Sequence, residues 1–270
     1  MKRILKYFRI RSKMVTTLVK ERVQYPVRLF ADSVTVIIRC GILLLLYSYV
    51  FKLNHGVING TTFLFTSWSI LFYFLFATTQ LKYISRKMME DVQSGGLEMI
   101  LTKPISYISY RGWSQFGFGL YSFIVAIAFS VPALWLTVGI PPTMHLAIFI
   151  PTLIMTTLLG GMIYVFIYSL VGLCAFWVED INPIFWIIDK SVMILGGSYL
   201  PIALFPSFLY KLAMYSPFGA SLFVTHTMYP SWEGEWHRMI IIQVVWIIIL
   251  GAALYAVYQL AKKKVSVNGG

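Results

Sequence analysis

The sequence predicts an all-α integral membrane protein, with six transmembrane helices, an N-terminal amphipathic interfacial helix, and re-entrant outer helices before the last span. Three observations lead to that fold class. Of the 270 residues, 59% are hydrophobic and only 12% are charged, far from the balance of a soluble globular domain. The apolar residues gather into runs close to the roughly 20 that a helix needs to cross hydrocarbon. The cations, for the most part, stand between those runs. A single transmembrane domain over residues 1-270 is expected.

The formal charge of +12 raises nucleic acid as a partner, and the placement of the basic residues argues against it. Nine lysines and arginines fall in the first 28 residues, five more (Lys82, Arg86, Lys87, Lys103, Arg111) surround the loop after the second span, and Lys262, Lys263 and Lys264 follow the last span. Such clustering at one end of each span is the positive-inside pattern. It places both termini in the cytoplasm.

Residues 1-30 form the cytoplasmic interfacial segment. Met1, Ile4, Leu5, Phe8, Val15, Leu18 and Val19 recur near helical spacing with cations on the other faces, as in a helix lying on a membrane surface. A basic tail that only fixes orientation remains the alternative reading. The segment lacks the short apolar core and small-residue cleavage site of a secretory signal.

The first span covers about 31–51, and Asn54, Gly56, Asn59 and Gly60 turn the chain back into a second span at about 63–81. Residues 82-115 form a cytoplasmic loop containing a polar, glycine-broken island from Asp91 to Ser106. Gly95 and Gly96 permit a sharp bend there, and 97–101 reads as a short helix stopped by Pro104. Spans three to five fall at about 116–138, 146–178 and 183–200, the fifth opening on Pro183. Residues 201-238 are cut by Pro201, Pro206, Pro217 and Pro230 into pieces too short to cross. They read as an outer re-entrant segment, since backbone at membrane depth is tolerated where protein buries it. The last span covers about 239–260.

Chemistry is sparse. No G-x-x-x-x-G-K-[ST] phosphate loop is present, so nucleotide chemistry is expected on another polypeptide. Cys40 and Cys174 sit singly within apolar runs, and His55, His145, His226 and His237 scatter over outer turns, where they read as solvated. Neither a metal site nor an enzyme is indicated. Asp189 and Lys190 form a conspicuous ionisable pair near the inner end of a span, readable as a gate or inter-span bridge or as interfacial side chains snorkelling to water. Arg39, deep in the first span, is a second candidate for a transport route.

Gly96-Leu97-Glu98, followed by Leu101 and Pro104, resembles the Gly-Thr-Leu-Glu-x-Leu-Leu-x-x-Pro stretch between the second and third spans of type-2 ABC exporter permeases. The threonine is absent. Gly196, Gly197, Ser198, Tyr199, Leu200 and Pro201, then Phe205-Pro206 and Ser216-Pro217-Phe218, are similar to the series ending the fifth span and opening the outer segment in that family's six-span subgroup. The resemblance implies a permease in the cell membrane that pairs with an identical or related permease and with two cytoplasmic ABC ATPase subunits carrying ATP and Mg, amid membrane lipids. It also implies ATPase coupling through Glu90, Asp91, Gly95, Gly96, Leu97, Glu98, Leu101 and Pro104, with Leu97 and Glu98 facing the ATPase. Gly197, Pro201, Phe205, Pro206 and Pro217 would shape the outer re-entrant segment. An ATP-independent channel or ion-coupled secondary transporter using Arg39, Asp189 and Lys190 is the alternative.

Overall fold

The structure, a computed structural model, describes residues 2–24, 26–102, 105–140, 145–229 and 231–268. Helix α1 (Lys2–Val23) lies against α6. Helix α2 (Pro26–Leu53) begins on a proline, which lacks the N–H a first turn cannot satisfy. A two-residue hairpin follows, β1 (Val57–Ile58) antiparallel to β2 (Thr61–Thr62) with Val57 opposite Thr62. Both turn residues have positive φ, Asn59 at 50° and Gly60 at 72°, the backbone that matches strand twist in such tight turns.

After helix α3 (Phe63–Ala77) the chain bends at Gln80, whose φ is 52°, and passes through one 3₁₀ turn into α4 (Ile84–Gln93). The short α5 (Leu97–Leu101) precedes α6 (Tyr107–Val138) and α7 (Leu146–Leu173). Helix α6 starts nine residues before the expected position 116. Hydropathy could not announce that first stretch, because its polar side chains are matched by others: Arg111 meets Asp91, and Gln115 donates to the Gln80 carbonyl at 2.9 Å.

Helix α8 (Asn182–Leu195) is shorter than the run 183–200 suggests. Gly197 has φ 79°, Ser198 N–H donates to the Met193 carbonyl at 3.0 Å, and Gly197 N–H to that of Ile194 at 3.1 Å. These paired bonds across a left-handed glycine are a Schellman stop, which an apolar tally cannot see. Then come α9 (Ser207–Tyr215), α10 (Pro217–Ala220) and α11 (Trp232–Asn268). Among the described residues five helical stretches are long and apolar enough to cross a membrane, 33–53, 63–93, 107–138, 146–176 and 232–264. At 14 residues α8 is not one of them, with a length of about 21 Å from the helical rise.

The helix ends sort into two groups. At one end Gln93 donates to the Glu179 carbonyl (2.7 Å), and Tyr107 stacks on Tyr258 with centroids 6.5 Å apart. At the other, Phe149 meets Trp232 at 5.5 Å, and the Tyr47 hydroxyl donates to the Tyr199 carbonyl. The largest core joins α4, α5, α7, α8 and α11 through residues such as Met88, Leu97, Tyr168, Phe185, Met239 and Leu254. A second joins α2, α3 and α6 around Trp68, Leu71 and Ala126.

Small residues let backbones approach closely. A Cβ on Gly172 of α7 would lie 2.8 Å from the Met88 sulfur and 3.0 Å from Ser85 Cα, so α4 rests directly on α7. A Cβ on Gly160 would lie 2.5 Å from the Ser221 carbonyl oxygen. Beside that contact the buried Gln243 of α11 donates to the carbonyls of Thr156 (3.1 Å) and Ala220 (2.9 Å). The irregular stretch after α10 is thereby held between the middle of α7 and the first third of α11.

Candidate functional site

The polar island becomes two short helices joined by a glycine turn. Gly95 sits at φ 71°, a left-handed conformation that side chains disfavour, and so lets the chain leave α4 and start α5 at an angle. Leu97 and Ile100, three apart, turn one face of α5 into the core, where they are 6% and 7% exposed. The expectation that Leu97 faces a partner is therefore corrected: a leucine at that register has a core to enter and fills it. Met99 points outward instead, 74% exposed. The side chains of Glu98 and Leu101, and Pro104 entirely, lie outside the described residues.

Asp91 also turns inward. Its carboxylate accepts from the Tyr107 hydroxyl (2.8 Å), from Arg111 Nε (2.6 Å), and from a terminal amino group of Arg111. This planar two-pronged pairing is the strong form of a charge-assisted bond and fixes both direction and distance. It ties the end of α4 to the start of α6, so Asp91 is an anchor of the island. Glu90 stays on the surface in a Lys87 pair at 2.7 Å, with both side chains more than half exposed, an arrangement of small energetic weight. Gly96 N–H is 3.4 Å from the Ser94 hydroxyl, which itself donates to the Glu90 carbonyl.

Asp189 and Lys190 do not act as a pair. Successive residues on a helix diverge, and here they do. Asp189 is 1% exposed and accepts from Lys82 Nζ at 3.0 and 3.1 Å and from the Tyr168 hydroxyl at 2.8 Å. Lys190 is exposed, its ammonium 5.5 Å from the Trp186 ring centre. The inter-span bridge thus exists with a different cation, 107 residues away in sequence. Three hydrogen bonds from two donor groups compensate the lost hydration of this buried carboxylate, and together they link α8 to α7 and to the turn opening α4. Arg39 is exposed on α2, within electrostatic reach of the Tyr73 hydroxyl.

In the stretch 201–238, Gly197 packs against Ile202, Pro201 and Pro206 precede short helical turns, and Phe205 is buried. Pro217 takes the first position of α10, whose preceding Ser216 hydroxyl accepts from Gly219 N–H at 3.1 Å. Every residue from Ser221 to Tyr229 is buried. His226, expected in solvent, is 1% exposed with Nε2 2.9 Å from Glu235, which also accepts from the Tyr210 hydroxyl at 3.2 Å. A histidine in an apolar turn is drawn inward when a carboxylate is within reach to satisfy it. No pattern in the sequence marks Lys82, Tyr107, Arg111 and Tyr168 as partners of the Asp91 and Asp189 carboxylates. The one cue for Tyr168 is a hydroxyl in an otherwise apolar run.

Five helical stretches long and apolar enough to cross a membrane, among the described residues, are those of a multi-pass membrane protein. Residues 34–269 match the family described as ABC-2 family transporter protein, and the chain belongs to that family. A comparison with curated proteins finds no match.

Proposed function

We propose that this chain is the permease subunit of an ATP-driven ABC exporter in the cell membrane, forming half of a translocation route with a second identical or related permease. Two cytoplasmic ABC ATPase subunits bind the ATP and Mg, and α4 and α5 form the coupling element on which they push. The observation that carries this reading is the construction of α5. Its apolar pair is sunk in the core, its support is clamped by Asp91, Arg111 and Tyr107, and Met99 is left facing out. A push on such a helix is transmitted to α6 through a charge-assisted bond instead of being absorbed by a loose loop.

In this reading the inner side holds α1 as an interfacial helix, the α4–α6 loop, the turn around Glu179 and the C-terminal lysines. Both termini are cytoplasmic. Helix α8 makes the sixth crossing with the extended residues after it: its start lies near the Gln93 contact, while Tyr199 meets Tyr47 of α2 in the outer half. The contact of Gly160, midway along α7, with Ser221 supports a re-entrant outer segment. Affinity purification of the tagged chain from its native membrane tests the proposal. An ATP-binding subunit should accompany it in equal amount. Reconstituted chain that moves solute down an ion gradient with no ATPase present would favour the carrier reading.

A further inference from the structure

A cavity of about 670 Å³ opens between α4 and α6, beside the clamp but outside the α5 contact face. Its wall carries three cations, Arg86, Lys87 and Arg111, against one carboxylate, Glu90. Arg111 spends Nε and one amino group on Asp91. Arg86 is differently placed: its guanidinium lies 4.6 Å from the centre of the Phe185 ring and 5.4 Å from that of Tyr83, and among the described residues no carboxylate ion-pairs with it. Its Nε is buried with no hydrogen-bond acceptor. Aromatic faces therefore hold this arginine in position, and no carboxylate among the described residues takes up its charge. From α6, Ser114, Gln115 and Phe118 also line the cavity.

We propose that this cavity binds a phosphate ester of net negative charge, with Arg86 and Lys87 on the phosphate, Ser114 donating to it, and the Phe118 side receiving apolar substance. A planar guanidinium beside an ammonium is suited to phosphate oxygens, and basic pockets between transmembrane helices take anionic lipid head groups. The same phosphate chemistry belongs to an anionic phospholipid and to a soluble phosphate ester. The chemistry does not depend on the ATPase reading, because it rests on the wall of this chain alone.

The test uses the full chain, delipidated in neutral detergent, with bound ligand counted by native mass spectrometry. Dioleoyl phosphatidylglycerol is titrated against dioleoyl phosphatidylcholine, with glycerol 1-phosphate as competitor. The anionic lipid should bind, and the zwitterionic lipid, which carries the same phosphate with a choline cation that the basic wall repels, should bind at least roughly tenfold more weakly. Lys87→Gln, at an exposed pair, should weaken binding several-fold with the melting temperature unchanged. Arg86→Gln should weaken it further. Ser114→Phe, which fills the space without altering charge, should abolish it. Displacement by glycerol 1-phosphate assigns the site to soluble esters, and resistance to displacement assigns it to lipid; either supports the phosphate site. Equal binding of the two lipids, or wild-type binding by Lys87→Gln and Ser114→Phe, overturns it.

Discussion

Replacing Asp91 with alanine should loosen the lever without touching its outer face. The Asp91 side chain is 9% exposed and receives three hydrogen bonds, two of them from a guanidinium whose side chain is 18% exposed. Removing one member of a fully buried ion pair costs roughly 3–5 kcal/mol, largely because the other charge is stranded. Arg111 keeps some access to water, so about 2–3 kcal/mol is expected for Asp91→Ala. Tyr107→Phe removes one ordinary bond and should cost about 1 kcal/mol. Because the stranded charge dominates, Asp91→Ala combined with Arg111→Leu should cost less than Asp91→Ala alone, so the coupling should exceed in size the cost of Arg111→Leu alone, about 3 kcal/mol. Reversible unfolding of the full chain in mixed micelles, followed by tryptophan fluorescence, reads these differences. A cost below about 0.5 kcal/mol for Asp91→Ala, or strict additivity in the double variant, would refute the clamp.

The buried Asp189 should behave similarly. Lys82→Met strands a buried carboxylate and should destabilise by about 3 kcal/mol, while Lys82→Met with Asp189→Leu should recover most of that in the same unfolding assay. Gly172→Leu should separate α4 from α7 and abolish a monodisperse peak in size-exclusion chromatography, whereas an equivalent change at Gly41, where an added Cβ meets nothing within 4 Å, should leave it intact. Gln243→Leu removes both donors to the Thr156 and Ala220 carbonyls and should cost about 1–3 kcal/mol, with faster hydrogen exchange confined to the stretch after α10.

Much of this architecture is legible in the sequence because hydropathy acts over whole segments. The long apolar runs at α2, α3, α7 and α11 stand close to their expected places, as does the bend at Gly95, since only glycine tolerates that backbone readily. The start of α6 was hidden because its polar side chains are satisfied by residues distant in sequence, and the end of α8 because a glycine stop leaves no mark in an apolar average. The same limit governs the site. Asp189 drew notice as a charge in a span, yet its partner could not be read, since Lys82 and Tyr168 come from other helices. Leu97 was expected outside and lies inside because α5 has a core beneath it, and only the fold tells which face of five residues is covered.

The account turns on Met99 as the outward contact of a coupling helix, and site-directed crosslinking tests it most directly. With Cys40 and Cys174 replaced by alanine, single cysteines at Met99 and at Leu97 would be compared in native membranes using a short thiol-to-amine reagent. A crosslink from Met99→Cys to an ATP-binding subunit, and none from Leu97→Cys, is the predicted result. Equal labelling from the two positions, or no ATPase adduct at Met99→Cys in membranes where the tagged chain still transports, would contradict the proposed coupling face.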